Sequence, residues 1–128
     1  MSMKVPVIVL ALLLPVAAFP QAARAQQAKE LYDESAKADA AVEKKLNAAY
    51  QKLIHQIQAN DAERAAMVSE ALRASQRAWL KYREAQLQFV GLYNDIGSSS
   101  ARAVGIGSYN VELTESRIHD LESVPNPF

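Results

Sequence analysis

The sequence predicts an all-α fold, a small helical domain with an antiparallel helical hairpin of two long helices plus a shorter third helix, after a cleavable signal peptide. Three observations predict it. Proline is absent from residues 26–123. All four glycines lie between Gly91 and Gly107. Apolar residues recur at steps of three and four, the period of one helix face, over long stretches.

The N-terminus reads as an export signal. Lys4 gives a positive start, residues 5–19 (VPVIVLALLLPVAAF) are apolar, and Ala23 and Ala25 place small residues where a signal peptidase cuts. Pro6, Pro15 and Pro20 interrupt the run, which is shorter than the roughly 20 apolar residues that span a bilayer. The expected organisation is a signal peptide over 1–25, a helical domain over 26–124 and a disordered tail, PNPF, over 125–128. Cleavage after Ala25 takes the basic count from 14 to 12 against 14 acids, a net charge of about −2. Nucleic-acid binding needs a basic surplus to neutralise phosphates, so that class is excluded. No stable membrane anchor remains after cleavage. The chain has no cysteine, which excludes thiolate chemistry, lipid attachment and disulfide staples.

The first helix is carried by Leu31, Ala38, Val42, Leu46, Ala49, Leu53 and Ile57, with Tyr50 and Ile54 widening the face. Lys37, Lys44, Lys45 and Lys52 fall largely outside it. QANDAER then breaks the pattern; Asn60 or Asp61 can cap a new helix, and Glu63 stands at capping-box spacing from Asn60. So short a break predicts a hairpin. The second helix is expected from about residue 61 to 96. Its seam is read as Val68, Leu72, Ser75, Trp79, Tyr82, Gln86, Phe89 and Tyr93, which places Trp79, Tyr82 and Phe89 in the core. Gln76 and Arg83 lie at the flank, where their stems are buried and their polar ends find partners. Residues 97–107 (GSSSARAVGIG) read as a loop with at most a helical turn. Ser108 is expected to cap the third helix, with Leu113, Ile118, Leu121 and Tyr109 inward.

Catalysis is poorly supported. His55 and His119 fall on different helices, and the positions three before them hold Lys52 and Ser116, so the Glu-x-x-His pairs of a helical carboxylate-metal site are missing. Serines 98–100 lack the glycine-flanked turn of a nucleophile. The expectation is no enzyme, no cofactor and no metal. Arg83 and Arg117 read as structural, pairing with a carboxylate such as Glu112 or Glu115. Arg102 stands in the small-residue segment, where a guanidinium can enter a carboxylate-lined cleft.

Three ordered segments carry a resemblance. Leu46, Asn47, Tyr50 and Leu53 come first; then Gln76, Trp79, Tyr82, Arg83, Glu84 and Ala85; then Leu113, Thr114, Arg117 and Leu121. Together they resemble the LprI-like lysozyme-inhibitor domain family, as a cysteine-free variant. Members commonly carry cysteines near Leu87 and Tyr109; here packing would replace that bond. The resemblance implies an exported protein, periplasmic or secreted, that binds a protein partner, a lysozyme or other muramidase. It also implies that Leu46, Asn47, Tyr50, Gln76, Trp79, Tyr82, Arg83, Leu113, Thr114 and Arg117 mainly hold the fold. Ser98, Ser99, Ser100 and Arg102 are the donors expected to meet the partner. The alternatives are an immunity protein against a cell-wall-degrading effector and a structural periplasmic helical protein without an enzyme target.

Overall fold

In the computed structural model, which describes residues 20–94 and 99–125, the chain forms α1 (Gln21–Gln58), α2 (Ala62–Tyr93) and α3 (Ser99–Glu122). No strand occurs among the described residues. The all-α reading and its helix count hold.

The break between α1 and α2 is three residues long and capped from both sides. Asn60 Nδ2 donates to the carbonyls of Gln56 and Ile57, at 3.2 and 3.3 Å, closing α1. Asp61 is the N-cap of α2, its carboxylate accepting from the Arg64 N–H at 3.0 Å. The capping box anticipated on Asn60 and Glu63 is therefore not used. Asn60 is turned back to serve the carbonyls of the last turn of α1, where a helix runs out of its own donors.

α1 makes its most extensive interface with α3, more so than with its hairpin partner α2. Asn110 pairs with Asp39, Gly107 meets Ser35, and Leu121 clusters with Leu46 and Ala49. The near-constant offset between these partners shows that α1 and α3 run parallel, with α2 antiparallel to both. Val42, Leu46, Ala49, Ile54, Ala65 and Leu121 are buried, and Tyr50, Leu53, Leu72, Trp79 and Ile118 pack against the central cluster. Toward the N-terminus of α1 the anticipated face is wrong, since Leu31 and Ala38 are exposed. There α1 presents half-buried Ser35 and Asp39 to α3. The approach at Gly107 leaves no room for larger side chains: a Cβ on Gly107 would lie 2.3 Å from Ser35 Oγ.

Residues 99–107 are helical, not a loop, so α3 begins nine residues before the expected start at Ser108. The alanines and serines of the stretch tolerate a helix. Gly107 belongs to it because it lets two helices touch, not because the chain turns there.

The seam of α2 also needs correction. Tyr82, Phe89 and Tyr93 are 49, 58 and 74% exposed. The inward side runs through Ala65, Ser69, Leu72, Gln76, Trp79, Arg83, Val90 and Gly91, all buried or half-buried. Both seams share Leu72 and Trp79. They differ in whether the next inward residue lies three positions on (Ser75 and Tyr82) or four (Gln76 and Arg83). Apolar content favours the first; the structure takes the second, because Gln76 and Arg83 have hydrogen-bond partners on the neighbouring helices. Leu87 and Tyr109, where family members carry cysteines, are both half-buried.

Candidate functional site

Three of the family-motif residues, Trp79, Arg83 and Thr114, meet in a polar network at the middle of the bundle. Arg83, its side chain only 16% exposed, reaches from α2 to Glu43 on α1. Its Nη1 also donates to Thr114 Oγ1 on α3 at 3.2 Å. Thr114 is wholly buried, and its hydroxyl donates in turn to the Asn110 carbonyl at 2.7 Å. Asn110 Nδ2 donates to Asp39 Oδ1 at 3.0 Å, returning to α1. The Arg83 guanidinium also lies over the Trp79 ring, 4.7 Å from its centroid, a cation–π contact one helical turn apart.

A second arginine repeats the device nearer the hairpin's closed end. Arg117 on α3 donates from Nε to Gln76 Oε1 at 3.1 Å and from Nη2 to Ser75 Oγ at 2.9 Å. Both arginines bond across helices, but the anticipated partners Glu112 and Glu115 are both exposed and make none of these bonds. Glu43 was missed because α1 was expected to pack through its apolar residues alone. Among the remaining motif residues, Leu46 is buried, Tyr50 and Leu113 are half-buried and Asn47 is exposed. Exposed Tyr82 accepts a hydrogen bond from Gln86 Nε2 at 3.0 Å.

This network is a clamp between three helices and has no reactive geometry. Its donors are the two arginines, the Asn110 amide and the Thr114 hydroxyl, its acceptors carboxylates, two hydroxyls, an amide oxygen and a backbone carbonyl, and no imidazole takes part. Among the described residues no group of three or more His, Asp or Glu is placed to hold a metal. Away from the network, on the outer side of α2, Arg77 holds the Glu70 carboxyl below its ordinary value, first by a hydrogen bond and then by charge.

The anticipated partner-binding residues sit at the end of the bundle where α2 passes into α3. Ser99 and Arg102 lie in the first turn of α3 and are exposed. Ser100 is helical in the same turn, and Ser98 lies outside the described residues. A shallow cavity of about 140 Å³ is lined by Asn94, Ala101, Arg102, Gly105 and Ile106.

The opposite end holds a feature the sequence reading did not contain. α3 stops about two turns short of the tip of the α1–α2 hairpin and leaves an open groove of about 790 Å³. Leu53, Ile57, Val68, Leu72 and Leu121 line it, with Lys52 and Arg64 among its polar residues. No periodicity signal marks such a groove, because it arises from the unequal reach of three helices.

A family profile described as "Lysozyme inhibitor LprI" covers residues 20–121, a span that holds the whole arginine network and the described α2–α3 end. No curated protein and no solved structure matches the chain.

Proposed function

Because the chain belongs to the LprI lysozyme-inhibitor family, we propose that it is exported and inhibits a lysozyme by binding it as a folded protein. The observation that carries this reading is the family match over nearly all of the three-helix domain. An inhibitor of this kind needs no chemistry of its own. Muramidase catalysis depends on two carboxyl groups flanking the glycosidic bond, and a ligand that occupies the cleft and hydrogen-bonds them is sufficient.

The α2–α3 end is the part of the chain best suited to that role. The Ser99 hydroxyl and the Arg102 guanidinium are exposed there on the opening turn of a helix. A rigid helix end fixes its donors more closely than the loop expected from sequence, at the cost of a broader tip. The slight negative charge of the processed chain suits a basic lysozyme.

Export rests on the N-terminal pattern. Residues 20–27 are exposed, and the first buried residue among those described is Val42, so the described residues ahead of the cut add nothing to the core. No helix among the described residues is long and apolar enough to cross a membrane. Intact mass of the exported protein should begin at Gln26; a product retaining Met1 and sedimenting with membranes would remove this part of the reading. Inhibition itself is tested by cell-wall lysis with several lysozyme types, as set out at the end of the Discussion.

A further inference from the structure

α2 has a second apolar face, which no described part of the chain covers. Met67, Ala71, Ala78, Tyr82, Phe89 and Tyr93 step along one side of the helix and are all exposed. Met67 is 66% exposed and Tyr93 74%. At 100° per residue the six fall within an arc of about 80°, over roughly 39 Å of helix. Leu92, also largely exposed, borders the face at its aromatic end, where the Phe89 and Tyr93 rings lie 5.7 Å apart. The ion pairs of Glu70 with Arg73 and Arg77 sit off this face. It is therefore a long, mainly apolar strip beside the buried seam, of the kind a helix presents to another helix, broken at Ser75, whose hydroxyl accepts from Arg117 of α3.

We propose that this face pairs with the same face of a second copy, the two α2 helices running antiparallel about a two-fold axis level with Leu80. The order of side chains argues for that occupant. Small residues stand at one end of the strip and aromatic ones at the other. An antiparallel partner in this register sets Phe89 over the partner's Ala71, Tyr82 over the partner's Ala78 and Tyr93 over the partner's Met67. Each bulky ring then meets a smaller residue. A two-fold axis requires this kind of self-complementarity, in which residue i meets j and j meets i. A parallel pairing would instead stack ring on ring and alanine on alanine, leaving a gap at one end.

The area agrees with a dimer. The three aromatic side chains, at 49, 58 and 74% exposure and roughly 150–250 Å² each, offer roughly 270–450 Å². Met67, Leu92 and the intervening alanines extend this toward the roughly 800 Å² per partner of a standard interface. In the dimer the two α2–α3 ends point in opposite directions, so pairing leaves Ser99 and Arg102 of both copies uncovered. The inference does not depend on what those ends bind.

The test uses light scattering on the purified protein over a concentration series, followed by cross-linking. Twice the chain mass is expected, reverting to the single mass in Ala71→Glu and Ala78→Glu, with helicity of the separated chains unchanged. The cysteine-free background allows the register to be read directly. A mixture of Ala71→Cys and Phe89→Cys chains should give the mixed cross-linked dimer with a short thiol cross-linker. Ala71→Cys alone should give none, because in the antiparallel register its two copies lie roughly 27 Å apart. A single-chain mass throughout the series would overturn the proposal. So would efficient cross-linking of Ala71→Cys to itself, which would mean a parallel pair.

Discussion

Arg83 on α2 is ion-paired with Glu43 on α1, and the same guanidinium nitrogen holds the buried hydroxyl of Thr114 on α3. One side chain thus ties all three helices at mid-height. In a domain without disulfides and with few fully buried apolar side chains, such a tie is a large fraction of the total stability. It also fixes the rotation of α2, because only the polar side of the helix can face it.

Arg83→Ala should therefore destabilise the fold by about 2 kcal/mol. A hydrogen-bonded charged group is worth about 1.5–3 kcal/mol, and the 39% exposure of Glu43 keeps the loss below that of a fully buried pair. For a domain of this size that is a fall of roughly 8–16 °C in thermal midpoint. Arg83→Lys should recover little of it, since an ammonium cannot serve Glu43, Thr114 and the Trp79 face together. An unchanged midpoint for Arg83→Ala would mean that the network is a consequence of the packing and not a cause.

The two glycines of α3 should respond in opposite ways to alanine. Gly105 has open space around it, so Gly105→Ala should stabilise the helix by about 1 kcal/mol. Gly107→Ala should show no such gain, because its Cβ would meet Ser35 Oγ at 2.3 Å. Removing that hydroxyl in the Ser35→Ala background should restore the gain. Melting curves for the four chains form a double-mutant cycle; additive effects would show that α1 and α3 do not touch there.

Much of this was legible in the sequence. The helix class, the hairpin break, the buried positions from Val42 onward and the inward residues of α3 follow from apolar period and cap residues. Two things were not. Reading glycine and serine at residues 99–107 as a loop ignored that glycine also marks close helix contact, which only the opposing residue, Ser35, reveals. Choosing the aromatic side of α2 as its seam ignored that a polar side can be buried when its partners lie on other helices, and Glu43 and Thr114 are 40 and 31 residues away from Arg83. The resemblance to the family, carried by Gln76, Trp79, Arg83, Thr114 and Arg117, already named these network residues but not their partners Glu43, Ser75, Asn110 and Asp39.

The corrected seam has a direct consequence for the aromatic residues. Trp79 is half-buried against the core cluster and beneath Arg83, so Trp79→Ala should cost about 2–3 kcal/mol, somewhat below the range for a fully buried ring. In dilute solution Phe89→Ala should cost about 1 kcal/mol or less, as an exposed position does. Denaturant titrations of both variants decide it. Equal large losses would restore Phe89 to the core.

Arg102→Ala separates binding from folding. The residue is exposed, so its loss should cost the fold about 1 kcal/mol or less, as at other surface positions. If its guanidinium meets a cleft carboxylate, inhibition should weaken by about 1.5–3 kcal/mol, roughly ten- to a hundred-fold in affinity. Full inhibition by the Arg102 variant would take this end of the bundle out of the mechanism while leaving the inhibitor reading intact.

The most direct measurement is the turbidity of a cell-wall suspension during lysis by each of several lysozyme types, with and without the folded wild-type protein. Dose-dependent protection against at least one type is predicted, without change in the chemical state of either protein. Undiminished lysis by every muramidase, at protein concentrations where circular dichroism shows an intact helical fold, would contradict it.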